Sequence, residues 1–364
     1  MKKSIPFLEL ASMHADLADE LKSKFAEMLQ KGIFSAGTEV EELERSLAGF
    51  LKMPHAIACA NGTDALELAL RALGIGDGDE VIVPAMTWVS TAEVVKMVGA
   101  ELIFCDVDSD GLINIDQMER MITKRTKAVI PVHLYGKMVN MERLLAITRS
   151  KGVKVVEDAA QAFGAFQNGI SAGAFGDIGC FSFYPTKNLG ALGEAGLMLT
   201  ADDTHSRKLR LLLTHGQPER DIHELIGRNS RIDTLQAGFL NVKLDYLLPW
   251  QQKRKQLAEV YLEHLQHLKG IIVPKGILKD DHNAHLFTIR LEERDKLKAF
   301  LADQGISTAI HYPMAVSATP AFNGYGDFPM ANALARTTLS LPLHPYLGEK
   351  EVRRVCEAIH EFFR

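Results

Sequence analysis

The 364-residue sequence has only four cysteines. Cys59, Cys105, Cys180 and Cys356 are widely separated and offer no ligand pair with metal-site spacing, so they read as reduced, buried thiols of a cytoplasmic protein. No stretch approaches the ~18 consecutive apolar residues of a membrane span. The basic start, Met1-Lys2-Lys3, is not followed by an apolar segment long enough for export. A long basic block is also missing: 41 Lys and Arg against 46 Asp and Glu give a net charge of -5, which disfavours a nucleic-acid partner. There is no short tandem repeat and no low-complexity segment. What remains, 47% hydrophobic and 24% charged residues, is the composition of an ordinary globular protein. At ~150 residues per domain the length suits two or three domains.

Short β-branched runs alternate with longer periodic segments. Residues 14–31 and 39–52 read as amphipathic helices, the second with Thr38 and Glu41 at capping-box spacing. Strands are expected at 55–60, 80–83, 101–105, 126–132 and 154–156, with helices at 62–73, 90–98, 115–123 and 141–150 between them. Two more strands are expected at 180–184 and 196–200. This order predicts an α/β fold with a mostly parallel central sheet and with its chemistry in loops at the strand C-terminal ends. Near Leu248-Pro249-Trp250 the pattern changes to a long charged helix over 251–268, followed by strand and helix signals at 284–291 and 294–304. The expected division is a large domain of residues 1–249 and a smaller C-terminal α/β domain of residues 250–364.

Several motifs carry possible chemistry. Lys187 follows the aromatic run Phe181-Ser182-Phe183-Tyr184 and precedes the glycine-rich Gly190 to Gly196. A lysine amine held rigidly and partly dehydrated can form an imine with a carbonyl compound, although most lysines are simply solvated. Asp158, just after the apolar Val155-Val156, can hold a protonated ring nitrogen or serve as a loop cap. Asn61-Gly62-Thr63-Asp64 opens a helix whose amides suit a dianionic phosphate, or forms an ordinary capped turn. Trp88 can lie against a planar ring or pack in the core. Gln161 can reach a ring oxygen or cap a loop, and Ser182 can donate to a phosphate or to nearby backbone. Lysine, strand-end acid, aromatic and phosphate-like turn together are the set that a pyridoxal phosphate (PLP) site requires.

At these motifs the chain resembles the sugar aminotransferases of the DegT/DnrJ/EryC1/StrS family. The resemblance runs from Gly37-Thr38-Glu39-Val40-Glu41 through Asn61 to Leu66, Glu157 to Gln161 and Phe181 to Gly196, and on to Gly227-Arg228-Asn229-Ser230-Arg231. It implies a PLP-dependent transferase of fold type I. By the same resemblance Lys187 is the lysine that binds the cofactor and shuttles the proton, Asp158 the pyridinium partner and Trp88 the stacking aromatic. Gln161 lies at the phenolic oxygen, and Gly62, Thr63 and Ser182 hold the phosphate. Asn229 reaches the phosphate of the other subunit, which implies a homodimer with shared active sites. The implied reaction takes an amino group from L-glutamate and gives it to a keto group of a nucleotide-linked sugar, UDP- or dTDP-bound.

His311 and Tyr312, in Thr308 to Met314, resemble the family's sugar-nucleotide loop, although Ser317 stands where many relatives carry a second histidine. His133 and Tyr135 either form the rear wall of the pocket or pack a strand end. Related PLP sugar dehydratases carry histidine in place of the lysine, so Lys187 favours transamination over dehydration. Another PLP enzyme such as an amino-acid lyase, or a non-catalytic dimeric regulatory protein, is the competing reading.

Overall fold

The computed structural model of the protein describes residues 4–322 and 324–364. The chain begins with α1 (Leu10–Asp16), α2 (Ala18–Lys31) and α3 (Thr38–Leu51). It continues through β1 (His55–Cys59), α4 (Gly62–Ala72), β2 (Glu80–Pro84), α5 (Ser90–Met97), β3 (Glu101–Cys105), α6 (Ile115–Met121), β4 (Thr126–Val129), α7 (Met141–Ser150) and β5 (Lys154–Asp158). A small hairpin, β6 (Phe166–Gln167) and β7 (Ile170–Ser171), precedes β8 (Ile178–Ser182), β9 (Gly196–Thr200), α8 (Asp203–Leu212), α9 (Thr234–Leu244) and α10 (Leu247–Leu265). The last elements are β10 (Phe287–Arg290), α11 (Arg294–Asp303), α12 (Pro329–Thr337), β11 (Thr338–Leu341) and α13 (Glu349–Phe362).

Seven strands form one sheet in the order β1-β9-β8-β5-β4-β2-β3. The pairs β8·β5, β5·β4, β4·β2 and β2·β3 are parallel, and β9 alone runs against both of its neighbours. Parallel strands are covered on both faces, which is why β2 (Glu-Val-Ile-Val-Pro) is buried at every position and shows no alternation. The C-terminal ends of β2, β4, β5 and β8 therefore lie along one edge of the sheet, where a doubly covered α/β fold places its ligands.

The apolar interior forms two principal clusters. The larger surrounds the seven-stranded sheet. The second gathers Leu257, Tyr261, Phe287, Leu297, Leu339, Val352 and Ile359 around the antiparallel pair β10·β11. Ile5 joins this second cluster through backbone bonds to Gly305 and Ser307, so the two ends of the chain meet there.

Local expectations differ from the structure at several places, and the strand expected at 180–184 is one of them, lying at Ile178–Ser182. The helix expected over 14–31 is two helices that meet at Leu17. Thr38 is not a capping residue: Gly37 is the N-cap of α3, and its amide donates to Thr234 Oγ1 at 3.3 Å, so a hydroxyl from α9 stands in for the capping box. The strand expected to reach residue 132 stops at Val129. The long helix begins at Leu247, with Pro249 in its first turn, where a missing N–H costs no intrahelical bond. Among the described residues no helix is long and apolar enough to cross a membrane.

Candidate active site

Asp158 is the last residue of β5 and is 6% exposed. Its Oδ2 accepts the Thr91 hydroxyl at 2.7 Å, and its Oδ1 accepts the Ala160 amide at 3.2 Å. Thr91 is held in turn by Thr87 at 2.9 Å, so the first turn of α5 fixes the carboxylate from one side. Burial pushes this carboxyl above the usual range, against the opposing pull of Thr91, Ala160, Lys187 and His133. A carboxylate in this position favours a cationic partner.

Lys187 lies in the turn after β8, half-buried, and burial lowers its amine to about 8 although the Asp158 charge pulls it back up. The turn is closed by backbone bonds from Lys187 to Tyr184 and from Ala191 to Phe183. The side chain of the next residue, Asn188, donates to the Asn283 carbonyl at 3.1 Å and meets His285 Nδ1 at 3.0 Å. Asn283 donates from its own amide to the carbonyls of Gln161 and Phe163. The turn that carries Lys187 is thus tied to the turn after Asp158 by a third segment more than 90 residues away.

At the start of α4 the Asn61 side chain takes the Asp64 amide at 2.8 Å. The amides of Gly62 and Thr63 precede the first intrahelical bond and are the donors a helix N-terminus offers to an anion. Glycine is required at position 62 because a Cβ there would stand 2.8 Å from Ser182 Cβ. Ser182 Oγ accepts the Tyr184 amide at 3.2 Å, which leaves its own proton for another acceptor. Thr63 Oγ1 lies 2.8 Å from Ser90 Oγ.

Trp88 is 57% exposed, which rules out core packing, and its ring is 5.6 Å from that of Tyr312. Tyr312 accepts a hydrogen bond from Gln161 Nε2 at 3.0 Å, while Gln161 Oε1 accepts the Tyr135 amide at 2.6 Å. The Tyr135 hydroxyl donates to the His311 carbonyl. His311 Nδ1 meets Ser340 Oγ at 2.8 Å, and burial followed by the Lys187 charge lowers this imidazole to about 4. The loop carrying both residues docks on the end of β2 through the Val316 amide and the Ala85 carbonyl, and Ser317 is buried in it.

His133 is fully buried. Its Nδ1 accepts the Val139 amide at 3.1 Å, so Nε2 carries the proton and donates to Glu157 Oε2 at 2.9 Å. Glu157 also accepts the amides of Gly173, Phe175 and Gly176 at 2.9, 2.7 and 2.6 Å. Of the two readings of His133, strand-end packing is the one the geometry supports.

Asn229 is exposed and lies four residues ahead of Asp233, the N-cap of α9, and so does not cap that helix. Its neighbours are anchored: Arg228 pairs with Asp64 and Glu67 on α4, and Ser230 donates to Asp64. The arm leading to it carries Ile222 and Ile226, 53% and 95% exposed. A separate depression of about 720 Å³ between α3 and α8 contains none of the predicted site residues.

The sequence profile of the DegT/DnrJ/EryC1/StrS aminotransferase family matches residues 15–360. The chain belongs to this family. It is 43% identical over 359 residues to the UDP-N-acetyl-3-dehydro-alpha-D-glucosamine 3-aminotransferase of Acidithiobacillus ferrooxidans, covering 98% of this chain and 97% of that one. It is 40% identical to a pleiotropic regulatory protein of Geobacillus stearothermophilus, over 99% of each chain. The crystal structure of Streptomyces venezuelae DesV in complex with a ketimine intermediate matches with a TM-score of 0.96 at 39% identity, over 99% of each chain.

This aminotransferase is therefore a PLP-dependent enzyme of fold type I. The groups described above fit such a cofactor: a buried carboxylate with no ion pair at contact distance among the described residues, a lysine amine lowered toward neutrality, and helix amides beside a hydroxyl proton. Sequence reading of the aminotransferase missed Thr91, Asn188, Asn283 and His285. Thr91 had a usable signal, since it lies one helical turn beyond Thr87 and three residues after Trp88. The other three are buried polar residues whose partners are distant in sequence, and no local pattern marks them.

Proposed function

We propose that this aminotransferase passes an amino group from L-glutamate to a keto group of a nucleotide-linked sugar, with UDP- and dTDP-linked keto sugars as the substrates to test. The observation that carries the reading is the Lys187 amine placed within the field of the buried Asp158 carboxylate, at neighbouring strand ends of a chain from this family. The sugar nucleotide is supported by the relative from Acidithiobacillus, whose activity is on a UDP-linked sugar.

Bound PLP supplies an electron sink for the carbon that loses its proton. Lys187 would be the residue that joins the cofactor and carries the proton, and burial lowers its amine to about 8, close to neutral pH. Asp158, oriented by Thr91, would favour a protonated ring nitrogen. The Gly62 and Thr63 amides and the Ser182 hydroxyl hold the phosphate. Gln161, held by Tyr135 and Tyr312, would serve the phenolic oxygen of bound PLP, and His311 and Tyr312 would serve the sugar. The neutral imidazole of His311 adds no positive charge there.

Trp88 provides an exposed face for stacking. Trp88→Ala is expected to raise the PLP dissociation constant about threefold to tenfold, matching the ~0.5–1.5 kcal/mol of an aromatic contact, with the same sugar product. Equilibrium dialysis with product analysis checks both parts.

Asn229 completes the phosphate site of a second copy, and the exposed Ile222 and Ile226 suit burial in that interface. When a Lys187→Ala subunit is paired with an Asn229→Ala subunit, both defects fall in one site and the other site is whole. Such mixed dimers should recover up to about half of wild-type activity. No activity above the two parent homodimers, with assembly verified, would remove Asn229 from the shared site.

The substrate reading is tested by incubating the protein with L-glutamate and a panel of UDP- and dTDP-linked keto sugars, followed by mass spectrometry. An aminated sugar nucleotide together with 2-oxoglutarate supports it. Cofactor binding without amination of any member favours the regulatory reading.

A further inference from the structure

Lys243, on α9, has no exposed surface, and among the described residues its ammonium has no carboxylate at ion-pair distance. Its Nζ donates to the Gly190 carbonyl at 2.6 Å and to His14 Nε2, on α1, at 3.0 Å. Burial lowers the amine to about 8. Placing an unpaired amine inside a protein is costly, and methionine would fill the same space without that cost.

Gly190 closes the turn that bears Lys187. A Cβ at Gly190 would stand 2.4 Å from the Pro185 carbonyl oxygen, so the turn folds back tightly on itself there. Lys187 consequently sits between two anchors: Asn188 is held by Asn283 and His285, and Gly190 is held by Lys243. The first anchor comes from residues 283–285 and the second from α9. Its own backbone bonds and the Leu192 amide on Gln236 Oε1 at 2.9 Å keep the turn folded, and without the Lys243 bond the segment that carries the Lys187 amine is held less firmly on the α9 side.

We infer that Lys243 is a positioning residue, whose bond to the Gly190 carbonyl fixes the turn from Tyr184 to Ala191 and so sets the approach of the Lys187 amine. The inference rests on the reading of Lys187 as the residue that joins PLP. The loss of one hydrogen bond from a charged donor at this point corresponds to about tenfold or more in local opening.

The test is Lys243→Met, which keeps the unbranched side chain up to the ε position and removes both donor and charge. The variant should fold and melt within a few degrees of wild type, because the lost bond and the removed buried charge act in opposite directions. Hydrogen–deuterium exchange should rise about tenfold over residues 185–192 and stay unchanged in the central strands. The visible absorbance that PLP gains on joining Lys187 in the apoprotein should develop about tenfold more slowly. His14→Ala removes the other partner of the ammonium and leaves the Gly190 bond, so its exchange over 185–192 should match wild type.

Unchanged exchange in Lys243→Met overturns the inference. So does global unfolding of that variant, which would make Lys243 a determinant of the fold, and so does an equal effect of His14→Ala, which would point to general loosening between α1 and α9. Should wild-type apoprotein fail to join PLP at Lys187, the reading beneath the inference falls, while the exchange data still judge the Lys243 bond.

Discussion

Lys187→Ala should still bind PLP but lose at least about 10³-fold in turnover, within the range that a positioned acid–base group supplies. The residues proposed to hold the phosphate and the ring nitrogen lie on α4, β5 and β8, which this substitution leaves in place. What disappears is the amine, so the visible absorbance of lysine-bound cofactor should vanish from the purified protein. The turn itself should persist, because it is held by backbone bonds and by Asn188. Lys187→Arg should fare no better, since a guanidinium remains protonated and cannot act as the amine nucleophile. Absorbance spectra and single-turnover assays with L-glutamate read the two losses separately. Wild-type-like turnover in Lys187→Ala would reject the role assigned to this lysine.

The second large effect is expected from Asp158→Asn. The amide can still accept the Thr91 hydroxyl, so local shape should survive. It cannot supply the negative charge that keeps a ring nitrogen protonated. An opposite charge at close range is worth about one to three pKa units, so both half-reactions should slow by about 10- to 10³-fold with appreciable cofactor still bound. Rapid mixing with donor, and separately with keto sugar, checks each half. Unchanged rates in both would show that the carboxylate does not govern the ring.

The central helices and strands were legible because their local chemistry agrees with their tertiary surroundings. The strands at 101–105 and 196–200 stand at the residues expected for them, and helix 141–150 does as well. Lys187 and Asp158 were visible because each follows a strand-like run at the edge where α/β folds gather ligands. One misreading has a clear physical origin, competition from a residue far along the chain. Thr234, almost 200 positions away, displaced the capping box of α3. Likewise, no pattern around residue 187 announces that Asn283, His285 and Lys243 hold the turn on which it sits. His133 was ambiguous because a histidine at a strand end has the same local signature whether it faces a pocket or a buried carboxylate.

Two adjacent acids, Glu157 and Asp158, end the same strand, and neighbouring strand residues point to opposite faces. Glu157 is gripped by three backbone amides and His133, a cage shaped for an acceptor with no proton to offer. A one-residue slip of β5 would turn both side chains to the opposite face, so that Glu157 would leave its cage and Asp158 would leave Thr91. The amides of Gly173 to Gly176 therefore act as a registration pin, making the stretch between Asp158 and β8 a poor place for a single-residue insertion or deletion even though part of it is surface loop.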